Sequence, residues 1–231
     1  TSETGVNTDQ APDYYQFNHT ESNWCIVGVR PHTLGDDWDL EMFTNNSFTE
    51  IAEGSQTVAE NNVDFVVMDR HHLSSLNRGI KVKRDSGSDY GRVEYEGGSE
   101  TLVIGNNNDI IWIVGDIAEC WDVHLTPGNY RFTLHHDYAT TDLNMALYSS
   151  TDGDYFKGKN NWKVNSYSIG VEVDEQFTVN ITSEDDYALV VWAEDDWGAQ
   201  FDIIIDNLIP GVWTGASSEW WHDSGNWTLS D

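Results

Sequence analysis

Carboxylates dominate the chemistry open to this chain. Its 231 residues carry 40 acidic and 11 basic side chains, a formal net charge of −29. Three stretches set acids close together beside turn residues: Asp36, Asp37 and Asp39 in DDWD, Asp152 and Asp154 in STDGDYF, and Asp195 and Asp196 in EDDWG. Ca²⁺ takes several hard oxygens from a flexible turn, so calcium is the cofactor these words suggest. The competing reading of each word is a solvated acidic turn, because the rest of an EF-hand loop is missing.

Other chemistries leave weaker traces. No G-x-S-x-G and no H-E-x-x-H occurs. The histidine pairs His71-His72 and His135-His136 do not converge on one metal in a strand, where neighbours point to opposite faces. They read as turn or strand-end residues on a polar surface. A glycosidase needs two carboxylates at a set distance, and among 40 acids such a pair arises by chance. The expectation is a protein that is not an enzyme. Trp38, Trp162 and Trp197 neighbour Asp or Asn and are the candidates for stacking on a sugar face, with core or interface packing as the alternative for each.

Cys25 and Cys120 fit no zinc spacing. One stands near the start of each half of the chain. A disulfide joining the halves, two buried thiols, or a bond between protomers are the three readings. Sequons occur at Asn18, Asn45, Asn180 and Asn226.

The charge balance repels nucleic acid phosphates and anionic membranes. No run of about 18 apolar residues is present to cross a bilayer as a helix. The opening TSETGVNTDQ reads as a mature end left by processing. Together these point to an extracellular or cell-surface protein that neither binds nucleic acid nor inserts into a membrane.

The elements that must position these residues are strands. Period-two runs rich in β-branched and aromatic residues recur from Trp24 to Asp206, broken by turn words such as TPGN and SEDD. No stretch holds a helical period over three turns. The fold class expected is all-β, with two tandem jelly-roll-like β-sandwich modules and extended terminal segments. The modules span 13–98 and 99–210, between an N-terminal segment 1–12 and a Trp-rich segment 211–231. DFVVMD in the first half matches YALVVWA in the second, and GIKVKRD matches QFDIIID. Asp37-Trp38-Asp39-Leu40-Glu41-Met42-Phe43 matches Asp142-Leu143-Asn144-Met145-Ala146-Leu147-Tyr148. In that alignment Leu40, Met42, Met145 and Leu147 face a core.

The second half resembles the bacterial pre-peptidase C-terminal (PPC) domain family. The residues that carry the resemblance are Trp121-Asp122-Val123, Leu125 to Phe132 (LTPGNYRF), Asp142 to Tyr148 (DLNMALY) and Tyr187 to Ala193 (YALVVWA). The first half is a weaker copy without the LTPGNY turn. The resemblance implies a jelly-roll-like sandwich that binds or assembles rather than catalyses. The tail, with Trp213, Trp220, Trp221 and Trp227, resembles a Trp phrase in repeats of large bacterial surface proteins. Four tryptophans so close together need a surface to pack on, which marks them as assembly residues.

Two functions follow as expectations. The first is a self-assembling structural protomer of a filament, sheath or surface layer, a homo-oligomer joined through its terminal segments. The alternative is an ancillary module of a larger secreted hydrolase that binds polysaccharide or protein matrix.

Overall fold

The computed structural model describes residues 2–6, 12–31, 36–55, 63–74, 77–86, 90–97, 101–112, 116–136, 142–166, 174–193, 199–208, 211–213 and 227–229. Among these residues there are 20 strands and no helix.

The strands build two sandwiches. The outer sheet of the first runs β2 (Asp13–Asn18), β7 (Asn77–Ser86), β4 (Asp37–Phe43), β5 (Ile51–Ser55). Its inner sheet runs β1 (Ser2–Val6), β8 (Tyr90–Gly97), β3 (Trp24–Pro31), β6 (Asp64–Asp69), β14 (Phe156–Gly158). The outer sheet of the second runs β10 (Gly105–Trp112), β18 (Ala199–Asn207), β12 (Gly128–His136), β16 (Glu175–Ile181). Its inner sheet runs β15 (Val164–Ser166), β13 (Leu143–Tyr148), β17 (Asp185–Ala193), β11 (Ala118–Leu125), β9 (Thr101–Leu102). A two-stranded ribbon joins β19 (Gly211–Trp213) to β20 (Trp227–Leu229), with Trp213 opposite Trp227.

The all-β expectation holds, and the reason is visible in the burial patterns. Along β16, Glu175, Phe177, Val179 and Ile181 turn inward while Gln176, Thr178 and Asn180 face out. This is the alternation of a strand covered on one side. The runs DFVVMD and YALVVWA lack it because their strands are covered on both sides. In β6, Val66 and Met68 enter the first core while Phe65 and Val67 enter a third core between the sandwiches. In β17, Leu189 and Val191 enter the second core while Ala188, Val190 and Trp192 enter the third. The two inner sheets therefore pack on each other across an apolar seam, in a four-layer stack.

The sheet orders match strand for strand: β2, β7, β4, β5 correspond to β10, β18, β12, β16, and β3 and β6 correspond to β11 and β17. This corrects the alignment of DWDLEMF with DLNMALY. The first is β4, in an outer sheet, and its counterpart is β12. The second is β13, in an inner sheet. The two motifs look alike because Trp38, Leu40 and Met42 face one core as Leu143, Met145 and Leu147 face another. Their other faces differ as the layers do. Asp39 and Glu41 pair with Lys83 and Lys81 on the outside at 4.0 and 2.7 Å, whereas Ala146 and Tyr148 meet the seam.

The place beside β17 that β13 fills is filled beside β6 by β14, which comes from the second half. Phe156, Lys157 and Gly158 pair with Met68, Val67 and Val66. At the other edge of the same sheet lies β1, with Ser2 opposite Glu94 and Val6 opposite Tyr90.

The disulfide reading is corrected. Cys25 and Cys120 are both free and buried. Cys25 faces the first core and Cys120 faces the seam. The sheet itself separates the two thiols, because Cys25 points away from the layer that carries Cys120.

Candidate functional site at the seam

The titratable groups gather at the two ends of the seam. At one end, the chain leaving β6 places Asp69, Arg70, His71 and His72 against the start of β17 and the middle of β11. His71 Nδ1 lies 2.9 Å from Asp69 Oδ1, and His71 Nε2 lies 3.0 Å from Asp122 Oδ2 and 3.6 Å from Asp186 Oδ2. Ser150 donates its hydroxyl to Asp69 Oδ2. Asp122 Oδ1 accepts from the Trp24 backbone N–H at 2.8 Å, and the Trp24 indole N–H donates to the Asp186 carbonyl at 2.8 Å. His71, Trp24 and three aspartates thus tie β3 and β6 of the first sandwich to β11 and β17 of the second.

Hydrogen bonds to Asp122 and then Asp69 raise the pKa of His71 to about 10, against the opposing effect of burial. Burial alone would raise Asp69, but the bonds from His71 and Ser150 hold it below the usual carboxylate range. A histidine held at both nitrogens by carboxylates has no lone pair with which to take a proton from a substrate. The cluster is a charged clamp. It also corrects the reading of the first histidine pair, because His71 is half-buried and structural, not a surface turn residue.

At the other end, Asp116 and Glu96 act electrostatically on Glu94 of β8 and Glu119 of β11. Glu94 accepts from the backbone N–H of Ile117. Burial raises Glu94 to about 7, with Asp116 and Glu96 adding to it. Burial raises Glu119 to about 8, and Asp116, Glu96 and Glu94 push the same way. Between the two ends the seam is close-packed. Phe65 meets the rings of Tyr148 and Trp192 at 6.2 and 5.5 Å. A Cβ added to Gly28 would stand 2.8 Å from Ile117 Cγ2.

The residues singled out by sequence fall elsewhere. Trp38 is buried in the first core, so its face is not open to a sugar. Trp162 packs half-buried against the seam. Asp152 and Asp154 both reach the Lys157 ammonium, at 2.8 and 3.1 Å. Asp37 and Asp39 lie within β4 rather than in a turn, with Asp36 just before it. Among the described residues no three His, Cys, Asp or Glu side chains are arranged to hold a metal ion. Asn18 and Asn180 are exposed, and Asn45 is bound into its own turn by Thr49 and the Ser47 N–H. Asp195, Asp196, Trp197, Trp220, Trp221 and Asn226 lie outside the described residues, as do the side chains of Trp213 and Trp227. The clamp and the buried glutamates had no local signal in sequence, since their surroundings form only when the sandwiches stack.

Fold and site together define a class: an all-β protein of two stacked sandwiches, tied at the seam by a histidine bonded to an acid of each. No protein-family model matches the chain, and no curated protein matches it. Among solved structures, it is similar to the pre-peptidase C-terminal domain of a collagenase from Bacillus anthracis, with a TM-score of 0.38 and 13% identity over 48% of this chain and 98% of that one. It is also similar to a structure of infectious bursal disease virus, Gt strain, with a TM-score of 0.27 and 11% identity over 89% of this chain and 71% of that one. A third likeness is to A223, a turret protein in Sulfolobus turreted icosahedral virus, with a TM-score of 0.23 and 8% identity over 90% and 97% of the two chains. Likenesses of this size carry no argument about function.

Proposed function

We propose that the chain is a non-catalytic structural protein of the cell exterior, a protomer that assembles with its own kind into a filament, sheath or surface layer. The observation that supports this reading best is the use of the polar groups. His71 is clamped by acids at both nitrogens, and buried Glu94 accepts from the Ile117 backbone N–H. What the geometry favours is a stiff block, braced by two sandwich cores, a seam and a strand shared between halves.

The terminal segments are the means of joining. β1 lies on the edge of an inner sheet by backbone pairing, the mode by which an extended segment adds to another sheet. The same segment from a neighbouring copy can occupy that edge. A charge of −29 opposes close approach of copies, so divalent cations such as calcium are the expected aid to assembly. Electron microscopy of the full chain at millimolar calcium and again in chelator tests this. Ordered fibres or lattices that disperse in chelator are expected. Single particles in both conditions, with a monomer mass at high concentration, count against it.

A second reading rests on a polar cleft of about 340 Å³ between β5 and β14, lined by Glu53, Ser55, Lys159, Asn160 and Asn161. Trp162 is the next residue in the chain. A cleft of this kind suits the hydroxyls of a polysaccharide, as an ancillary module would need. Retention on an insoluble glycan, lost in Asn161→Ala, would favour that reading over assembly.

A further inference from the structure

We infer that the chain presents a matched pair of apolar surfaces to other copies of itself. One is a knob, Val103-Ile104, on the second sandwich. The other is an aromatic stripe across the outer sheet of the first, and the knob of one copy seats on the stripe of the next. The inference rests on the reading of the chain as a protomer, and adds to its terminal segments a contact between the sandwiches themselves.

Both surfaces are built. The exposed large apolar side chains among the described residues are Tyr14, Ile51, Val103 and Ile104, between 45% and 59% exposed. Tyr14 and Ile51 belong to the stripe. The loop from β4 to β5 folds back over the outside of the sheet, and Phe48 fills the slot left by Gly79, where an added Cβ would stand 2.5 Å from its ring. There it meets the rings of Tyr14 at 5.0 Å and Phe43 at 5.5 Å, both edge-on. Phe43 pairs with Ile51, so the apolar path crosses the sheet from β2 to β5. Phe48 holds a positive φ of 55°, which a bulky residue keeps only where its surroundings fix it. Here Gln16 donates to the Asn46 carbonyl at 2.9 Å, and the Thr44 N–H donates to the Glu50 carbonyl at 3.0 Å. The knob is set as firmly. The Asn107 carboxamide accepts from the Val103 N–H at 3.0 Å and donates to the Val103 and Ile203 carbonyls at 3.0 and 3.1 Å. Exposed apolar surface held in place in this way marks a contact.

Two features point to a second copy as the occupant. The first is charge. A net charge of −29 opposes contact between copies, and both surfaces lie where that opposition is weakest. Thr101 to Asn108 carries no charged side chain. The stripe crosses β7, which holds Arg78, Lys81, Lys83 and Arg84 of the chain's 11 basic residues. Lys81 and Lys83 balance Glu41 and Asp39 beside it. The second feature is placement. The stripe lies on the outside of the first layer of the stack, and the knob joins β9 of the third layer to β10 of the fourth. At least two sheet spacings of about 10 Å part them, so a chain cannot cover its own stripe with its own knob. A contact between unlike surfaces repeats from copy to copy, and a string grows unless its rotation closes it into a ring.

The experiment uses two single variants of the full chain, Ile51→Cys and Ile104→Cys, with a short bis-maleimide at millimolar calcium. The native Cys25 and Cys120 are buried, out of the reagent's reach. The expected result is cross-linked dimers in an equal mixture of the two variants and none from either alone. Dimers from Ile104→Cys alone mean that knob meets knob, and dimers from Ile51→Cys alone that stripe meets stripe; either overturns the inference. Fibres without cross-links in the mixture overturn it and leave the protomer reading standing, whereas neither fibres nor cross-links overturns both. The double variant Val103→Ser, Ile104→Ser is expected to raise the concentration needed for assembly by about tenfold. Its melting temperature is expected to stay that of the native chain, since both side chains are exposed in the single copy. An unchanged assembly concentration in that variant would also overturn the inference.

Discussion

In the second sandwich the strand beside β17 is β13, six residues from the same half of the chain. In the first, the strand in the corresponding place beside β6 is β14, three residues from the other half. The faces turned to the seam differ as well. The first sandwich presents Trp24, Ile26, Phe65 and Val67, and the second presents mostly smaller groups, Ala118, Cys120, Ala146 and Ala188 beside Tyr148, Val190 and Trp192. The second half is close to self-sufficient. The first half depends on the second for a strand and for cover over large aromatic and branched side chains.

The largest effect expected from this difference is on separated halves. Residues 12–97 expressed alone lack β14 and expose the seam face, and they are expected to aggregate or show no cooperative melting. Residues 99–208 alone are expected to melt cooperatively, though less stably than in the whole chain. Thermal unfolding followed by circular dichroism separates the two outcomes, and a well-folded 12–97 fragment would erase the asymmetry.

Next in size is the seam core. Phe65 is fully buried between Tyr148 and Trp192. Phe65→Ala should cost about 3–5 kcal/mol in denaturant unfolding, the usual range for a buried aromatic cut to a methyl group. The loss should appear equally in probes placed in either sandwich. A loss confined to the first would mean that the sandwiches unfold separately.

The clamp comes third. His71→Gln removes a cation bonded to two carboxylates and should cost about 2 kcal/mol near neutral pH. The raised pKa of His71 sets the sign of its pH dependence: the difference from the native chain is full below about 6.5 and closes as pH rises through about 10. A difference that stays constant across that window would mean that His71 acts through packing alone.

The smallest effect belongs to an exposed acid. Asp152 is mostly solvent-exposed although it meets Lys157, and Asp154 stands by to keep that ammonium paired. Asp152→Asn should shift stability by less than about 0.5 kcal/mol. A larger loss in added calcium than in chelator would instead identify the turn as a cation site.

Much of the stack was legible in sequence because period two is a local property. The alternating residues of β12 and β16 and the apolar runs of β6 and β17 announce strands by themselves. The runs also fit cover on both sides, but nothing local says by what, and so the seam has no signature of its own in the sequence. β14, only Phe156-Lys157-Gly158, is too short to show a period. Its place is set by its partners in β6 and by the approach of Gly158 to Gly54, where an added Cβ would meet the Gly54 carbonyl at 2.5 Å. His71 looked like a surface residue because its partners Asp122 and Asp186 are distant in the chain. The cysteines suggested a bridge because they occupy like places in the two halves, yet like places on facing sheets do not make the side chains point at each other.

Calorimetry of the full chain tests the central claim, that two sandwiches, a seam and a shared strand form one block. The account predicts a single unfolding transition near neutral pH, with the calorimetric enthalpy equal to the van't Hoff enthalpy. Two resolved transitions, each with the enthalpy of half the chain, would contradict it.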